Sequence, residues 1–247
     1  MTNAPATSAP GTQQRAVDLQ RALRAIAGEH APAALASSLG AEDMVLTDAI
    51  LRDGLAIEIF TLDTGRLHPE TLGVLDRVRE RYGYDIRVYR PDAAAVERYV
   101  SELGLDAIYR SVELRRSCCE IRKVEPLRRA LTGKSAWVTG LRRAQSVTRA
   151  DLPLKEFEPA HGLWKFNPLA EWSEGEVWDY LRSRDVPYNP LHDRGFRSIG
   201  CAPCTRPTAA GEDLRAGRWW WEDAQTKECG LHPHRTGEMD TDRSRRA

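Results

Sequence analysis

Short apolar runs alternate with helix-patterned segments along most of the chain. The runs are AALASSL (33–39), AIEIFTL (56–62), DIRVYR (85–90), SAWVTG (135–140) and, more weakly, LWKFNPL (163–169). Ala41–Arg52, His68–Tyr82, Ala93–Leu103, Cys119–Leu131 and Ser173–Arg184 carry helical patterns. In the last of these Ser173 stands as N-cap and Glu176 completes a capping box. This alternation predicts an α/β fold, a doubly wound, mostly parallel sheet of five or six strands with helices on both faces.

The ends break the pattern. Residues 1–13 are Ala, Pro, Ser and Thr without periodicity, and residues 234–247 are polar and charged, so both read as tails. Residues 14–186 then form an α/β domain. Residues 187–233, rich in Pro, Gly, Arg and Trp, read as a functional C-terminal extension.

Composition narrows the function classes. The 247 residues are 41% hydrophobic, enough for a buried core. Lys plus Arg and Asp plus Glu both number 36, so no global attraction to nucleic acid or anionic membrane is expected and any anion site is local. No apolar run approaches the ~20 residues of a membrane span. The N-terminus lacks a basic start and apolar stretch, so the expectation is a cytoplasmic protein with no membrane or nucleic-acid partner. The sequence leaves the oligomeric state open, a homo-oligomer included.

Three strand-following loops converge on one sheet edge in such a fold. SSLGAED (37–43) places Ser38 and Gly40 in a turn that opens a helix, where backbone N–H groups face an anion or merely cap the helix. The second strand leads into LDTGRLHPE with Asp63, Thr64 and Gly65, and the fourth into TGLRRAQS with Gly140, Arg142 and Arg143. The dinucleotide pattern G-x-G-x-x-G and the Walker pattern are missing, which argues against those two nucleotide-binding modes.

Five cysteines in a cytoplasmic chain point to metal or catalysis rather than disulfides. Cys118 and Cys119 are adjacent, before and in the first turn of a predicted helix, and Cys201 and Cys204 form CAPC. Four thiolates suit zinc or an iron–sulfur cluster. A single zinc ion needs its sulfurs about 3.7 Å apart, whereas a cubane tolerates splayed neighbours, so the adjacent pair favours the cluster. The alternative is two buried thiols plus a redox Cys-x-x-Cys. The fifth, Cys229 in KECGLHPH, has Gly230 beside it and Lys227, His232 and His234 near it in sequence to favour a thiolate.

At this point the chain resembles the assimilatory sulfonucleotide reductases, in their iron–sulfur, adenylyl-sulfate-reducing branch. The resemblance rests on SSLGAEDMVL, LDTGRLHPET, CCEIRKVEPL, TGLRRAQS, YNPLHDRGFRSIGCAPCTRP, GEDLRAGRWWWE and KECGLH, in family order over nearly the whole chain outside the tails. It implies an adenine-nucleotide hydrolase-like fold related to the PP-loop enzymes. It implies one 4Fe-4S cluster per subunit on Cys118, Cys119, Cys201 and Cys204, Cys229 as nucleophile, and thioredoxin or glutaredoxin as reductant. The implied reaction converts adenylyl sulfate to sulfite and AMP through an S-sulfocysteine on Cys229 during sulfate assimilation.

Nucleophile, sulfate and phosphate are all anionic, so cations must offset their repulsion. Lys123 is placed four residues after Cys119, on the face of a cluster ligand, and Arg142, Arg143, Arg215 and Arg218 are the further candidates. The Trp219–Trp221 run reads as packing and His68 as a helix-start residue, leaving no general base. Reduction of 3′-phosphoadenylyl sulfate, or of both nucleotides, is the alternative. A PP-loop adenylating or thiolating enzyme fits less well, because S-L-G-A-E-D stands where S-G-G-x-D-S is expected. A zinc-binding interaction protein would leave KECGLH and the three loops without a role.

Overall fold

Six strands form one sheet: β1 (Ala33–Ala36), β2 (Ile57–Leu62), β3 (Arg87–Tyr89), β4 (Ala136–Val138), β5 (Lys155–Glu158) and β6 (Leu163–Phe166). Their spatial order is β3-β2-β1-β4-β6-β5. The structure is a computed structural model that describes residues 8–146, 149–223 and 231. All neighbouring strands run parallel except the edge strand β5, which is antiparallel to β6. The order reverses between β1 and β4, which opens a crevice at the carboxyl ends of those two strands.

Strand alternation divides the core into two layers. Ala33, Leu35, Ile57, Ile59, Ala136 and Val138 pack into one cluster. Ala34, Phe60 and Trp137 turn to the other, with Leu127 and Leu131. Buried on both faces, these strands read as continuous apolar runs, as parallel strands do.

The helices are α1 (Pro10–Glu29), α2 (Ala41–Arg52), α3 (Pro69–Tyr82), α4 (Ala93–Leu103), α5 (Val112–Cys119), α6 (Glu125–Leu131) and α7 (Glu174–Ser183). The sequence bounds of α2 and α4 agree with the structure. Ser173 caps α7 and its capping box with Glu176 is present. Helix α1 corrects the N-terminal boundary, because residues 10–13 are helical and Leu19, Leu23 and Ile26 bury one face. Pro10 and Gly11 in its first turn masked that start, where a missing N–H costs nothing. Strand β5 was missed because KEFE has one apolar residue, as an edge strand allows. Buried Asp48 of α2 accepts hydrogen bonds from Tyr82 of α3 and Tyr180 of α7, both at 2.8 Å, and so ties three helices together. Among the described residues no helix is long and apolar enough to cross a membrane.

The Ser173 hydroxyl accepts the Glu176 N–H at 3.2 Å, while the Glu176 carboxylate accepts the Ser173 N–H at 2.7 Å. Ser173→Ala is expected to cost about 1 kcal/mol in urea unfolding. No change in the midpoint would remove this cap as a determinant of α7.

Candidate active site

The crevice is built from loop chemistry at three strand ends. After β1 the chain turns through Ser37, Ser38, Leu39 and Gly40 into α2. Leu39 takes a left-handed φ of 61°, and its N–H donates to the Ser37 hydroxyl at 3.2 Å. Asp43, in the first turn of α2, accepts the Ser38 N–H at 2.7 Å and the Ser38 hydroxyl at 2.5 Å on one oxygen. The Ser38 donor that the sequence offered to an anion is therefore held by a carboxylate of the chain itself. Gly140, after β4, comes so close that a Cβ there would collide with Asp43 Oδ1 and crowd Glu42. A glycine is required by this approach rather than by its backbone angles.

These loops line a cavity of about 210 Å³. One part of its wall is apolar: Ala36, Phe60, Leu62, Leu127, Trp137 and Leu231. Another part is cationic, with Lys123, Arg149, Arg197, Arg215 and Arg218. Apolar and cationic side chains thus share one cavity, which suits a ligand with an apolar part and an anionic part.

A second, smaller cavity is lined by all four candidate ligands, Cys118, Cys119, Cys201 and Cys204, together with Arg66, Arg115, Arg122 and Lys123. The four thiols are buried and unbridged. Cys118 and Cys119 do not start a helix: they are the last two residues of α5, which Ser111 caps by accepting the Leu114 N–H at 3.2 Å. The next turn, Glu120–Val124, is a π turn. Pro126 explains it, because its ring has no N–H and would collide with the Arg122 carbonyl in a regular helix. The two cavities meet at Lys123 and Trp219, which line both.

Electrostatics distinguish the thiols. Burial pushes the Cys201 thiol up, but Lys123, a contact with the Thr64 hydroxyl, Arg218 and Arg66 outweigh it and hold the thiol below its ordinary value. Thr64 Oγ1 lies 3.2 Å from Cys201 Sγ. Burial and the neighbouring Cys201 push Cys204 up to about 11, against Lys123 and Arg218. Burial also raises Cys118, with Arg122 opposing. Among the described residues no three His, Cys, Asp or Glu side chains close on a point fit for a single metal ion.

Other candidates fall in different places. Ser38, Gly40, Thr64, Gly140, Lys123, Arg215 and Arg218 line the larger cavity. Asp63 instead accepts the Gly65 N–H at 3.0 Å and pairs with Arg90 at 3.1 Å, shaping the turn in which Gly65 takes a φ of 69°. Arg142 does not line the larger cavity: buried, it pairs with Glu42 at 2.8 Å and donates to the Trp172 carbonyl. Nor does Arg143, which donates to the Leu152 carbonyl and faces Glu171 at 3.4 Å. Arg149, Arg197, Phe60 and Leu127 were missed as cavity residues. Arg149 lies only three residues beyond the TGLRRAQS loop, the one signal that pointed to it. Cys229 lies outside the described residues.

Residues 32–207 match the phosphoadenosine phosphosulfate reductase domain family. The chain is 61% identical over 230 residues to the adenosine 5′-phosphosulfate reductase of Burkholderia cepacia, covering 92% of each. The phosphoadenylyl-sulfate reductase of Candida auris, solved as a phosphate complex, superposes with a TM-score of 0.64 at 26% identity, over 81% of this chain and 98% of that one. Yeast FAD synthetase, solved with FAD, shares the fold, with a TM-score of 0.57 at 15% identity over 82% of this chain and 70% of that one.

Burial pushes the Asp43 carboxyl up to about 6, against Ser38 and Gly140, whose donors favour the ionised form. The folded value lies above the unfolded one, so between about pH 4 and 6 the folded chain keeps a proton that the unfolded chain has released, and stability falls as pH rises through that window. Asp43→Asn lacks this term. Urea unfolding is expected to show the unsubstituted protein losing stability relative to Asp43→Asn up to about pH 6, with no further change above. A difference independent of pH would place the Asp43 carboxyl at its ordinary value.

Proposed function

Because the chain belongs to the adenosine 5′-phosphosulfate reductases of the phosphoadenosine phosphosulfate reductase family, we propose that it reduces adenylyl sulfate to sulfite and AMP through an S-sulfocysteine on Cys229. The reductant in this reading is a dithiol protein, thioredoxin or glutaredoxin. The supporting observation is the place of Leu231, which lines the larger cavity. Only Gly230 lies between it and Cys229, two Cα–Cα steps that span at most ~7 Å. In this reading the short tether lets a Cys229 thiolate meet an anion held in that cavity.

The reaction divides into two displacements. Cys229 thiolate attacks the sulfur of adenylyl sulfate, the S–O bond to phosphate breaks, and AMP leaves. A thiolate of the reductant then attacks Cys229 Sγ, sulfite departs with the electron pair of the S–S bond, and the second thiol of the reductant closes its disulfide and frees Cys229. Two electrons pass from dithiol to sulfur. Within the chain, Lys123, Arg149, Arg215 and Arg218 would hold the phosphosulfate and offset charge on the departing phosphate. Phe60, Leu62 and Leu127 would pack the adenine and exclude water.

The four-cysteine cavity fits a 4Fe-4S cluster in its donor set and its wall. Trp219 Nε1 is buried without a hydrogen-bond partner among the described residues, on a side chain that lines this cavity. Four cationic side chains line the cavity with the four thiols, which offsets the charge a tetrathiolate centre would carry. Bound there, the cluster would supply fixed charge and a scaffold joining α5 to the Cys201–Cys204 loop. Relatives 61–62% identical are named for adenosine 5′-phosphosulfate, which favours that substrate over its 3′-phosphorylated form.

Cys229→Ser is expected to abolish sulfite formation while iron, labile sulfide and nucleotide binding stay near normal, since a hydroxyl is a far weaker nucleophile at neutral pH. Turnover by that variant would remove Cys229 from the mechanism. Cys201→Ser should lose iron and soluble protein together. Lys123→Ala should slow S-sulfocysteine formation at least tenfold with iron content preserved; iron loss with normal activity per cluster would make Lys123 structural. Adenylyl sulfate should be preferred in kcat/KM over 3′-phosphoadenylyl sulfate, and the reverse order would overturn the substrate assignment alone.

A further inference from the structure

Trp219 lies on the wall between the two cavities, with two guanidinium groups against its ring. Arg115 reaches it from the thiol cavity and Arg218 from the nucleotide cavity, each with Cζ 4.6 Å from the ring centroid. Trp219 is 1% exposed and takes a φ of 41°, a left-handed conformation that costs a bulky residue energy. Its N–H donates to the Cys204 carbonyl at 3.1 Å. Packing on this ring therefore holds a strained residue in place.

Arg115 is itself fixed from beyond. Its side chain is 0% exposed and that of Glu222 3%, and the two are joined by parallel hydrogen bonds, Nε to Oε1 at 2.8 Å and Nη2 to Oε2 at 2.7 Å. A two-pronged buried pair fixes the plane of a guanidinium as well as its position. Such a pair is weak evidence for stability, since burying both ions costs about as much as their attraction returns. Orientation is the role its geometry serves.

Arg218 is confined on its other side. Its Nη1 donates to the Ile199 carbonyl at 3.2 Å. A Cβ on Gly200 would stand 2.5 Å from Nη2 and 2.7 Å from Cζ, so the guanidinium lies close over the backbone of that glycine. Its Nε is buried with no hydrogen-bond partner among the described residues, and the side chain lines the nucleotide cavity. The position of Arg218 is thus set by the Ile199 carbonyl, by Gly200 and by the Trp219 ring.

We infer that Glu222 and Arg115 are positioning residues for the sulfonucleotide: the buried pair fixes the Trp219 ring, and the ring fixes the Arg218 guanidinium that holds the anion. This rests on the proposed reading of the larger cavity as the nucleotide site. Neither residue lines that cavity. A purely electrostatic role for Glu222 has the opposite sign, because removing a negative charge would strengthen the attraction of an anion. Loss of position weakens it.

The test is equilibrium binding of adenylyl sulfate to cluster-replete Cys229→Ser protein, in which no turnover occurs. Glu222→Gln added to that background is expected to weaken binding about fivefold to tenfold with iron and labile sulfide unchanged. Combined with Arg218→Ala, the Glu222→Gln change should have little further effect, whereas an independent structural role would add its full penalty. Should Glu222→Gln lose iron, Glu222→Asp, which keeps the charge and shortens the reach, carries the same cycle. Tighter or unchanged binding, or full additivity with Arg218→Ala, would overturn the inference. Failure of the parent Cys229→Ser protein to bind adenylyl sulfate would instead overturn the reading of the site.

Discussion

In the proposed reading, negative charge gathers on both sides of one wall. Four buried cysteines line one side and the larger cavity, with apolar and cationic side chains, lies on the other, with Lys123 and Trp219 shared between them. Thiolates and a phosphosulfate in adjacent low-dielectric pockets repel strongly unless cations stand between and around them. A chain with equal numbers of acidic and basic residues meets that demand by local concentration. Arg66, Arg115, Arg122, Lys123 and Arg218 surround this wall. Lys123, Thr64, Arg218 and Arg66 hold the Cys201 thiol below its ordinary value against burial, while burial raises Cys118 and Cys204.

The fold brings these groups together from distant parts of the chain. The reversal of strand order between β1 and β4 opens the crevice, and α5 with its π turn carries Cys118, Cys119 and Lys123 to the far wall. The Cys201–Cys204 loop pairs with the turn after β2, Leu67 forming a bridge with Cys201 and Ala202 N–H donating to the Arg66 carbonyl at 2.7 Å. Through that contact the turn holding Thr64 is fixed to the thiol cavity. Gly140 and Gly200 leave space where Asp43 and Arg218 must come close.

Periodicity carried most of the architecture. Buried parallel strands and capped helices leave local signatures, so α2, α4 and the cap of α7 were legible from residue types alone. Helix α1 and strand β5 were not, because Pro and Gly obscured the start of one and the polarity of an exposed edge obscured the other. The π turn was hidden for a different reason: Pro126 announces an irregularity, but its form depends on what the widened turn must present. The thiol set was legible as a motif, and the structure places all four side chains at one cavity. The arginines separated poorly, since a guanidinium in sequence carries no direction. Arg142 answers Glu42 in the core, while Arg149 and Arg197, in no quoted motif or aimed by none, line the cavity.

The chemistry proposed for the site is one transfer, an SO3 group from nucleotide to thiolate, and it would leave a covalent mark. Cluster-replete protein incubated with adenylyl sulfate and no dithiol, then digested and analysed by mass spectrometry, shows directly whether that mark forms. The account expects the peptide containing Cys229 to carry the mass of one SO3 group in stoichiometric amount, with AMP released in equal quantity and the adduct lost on adding reduced thioredoxin. Release of AMP or sulfite with Cys229 unmodified, or the adduct on any other cysteine, would contradict it.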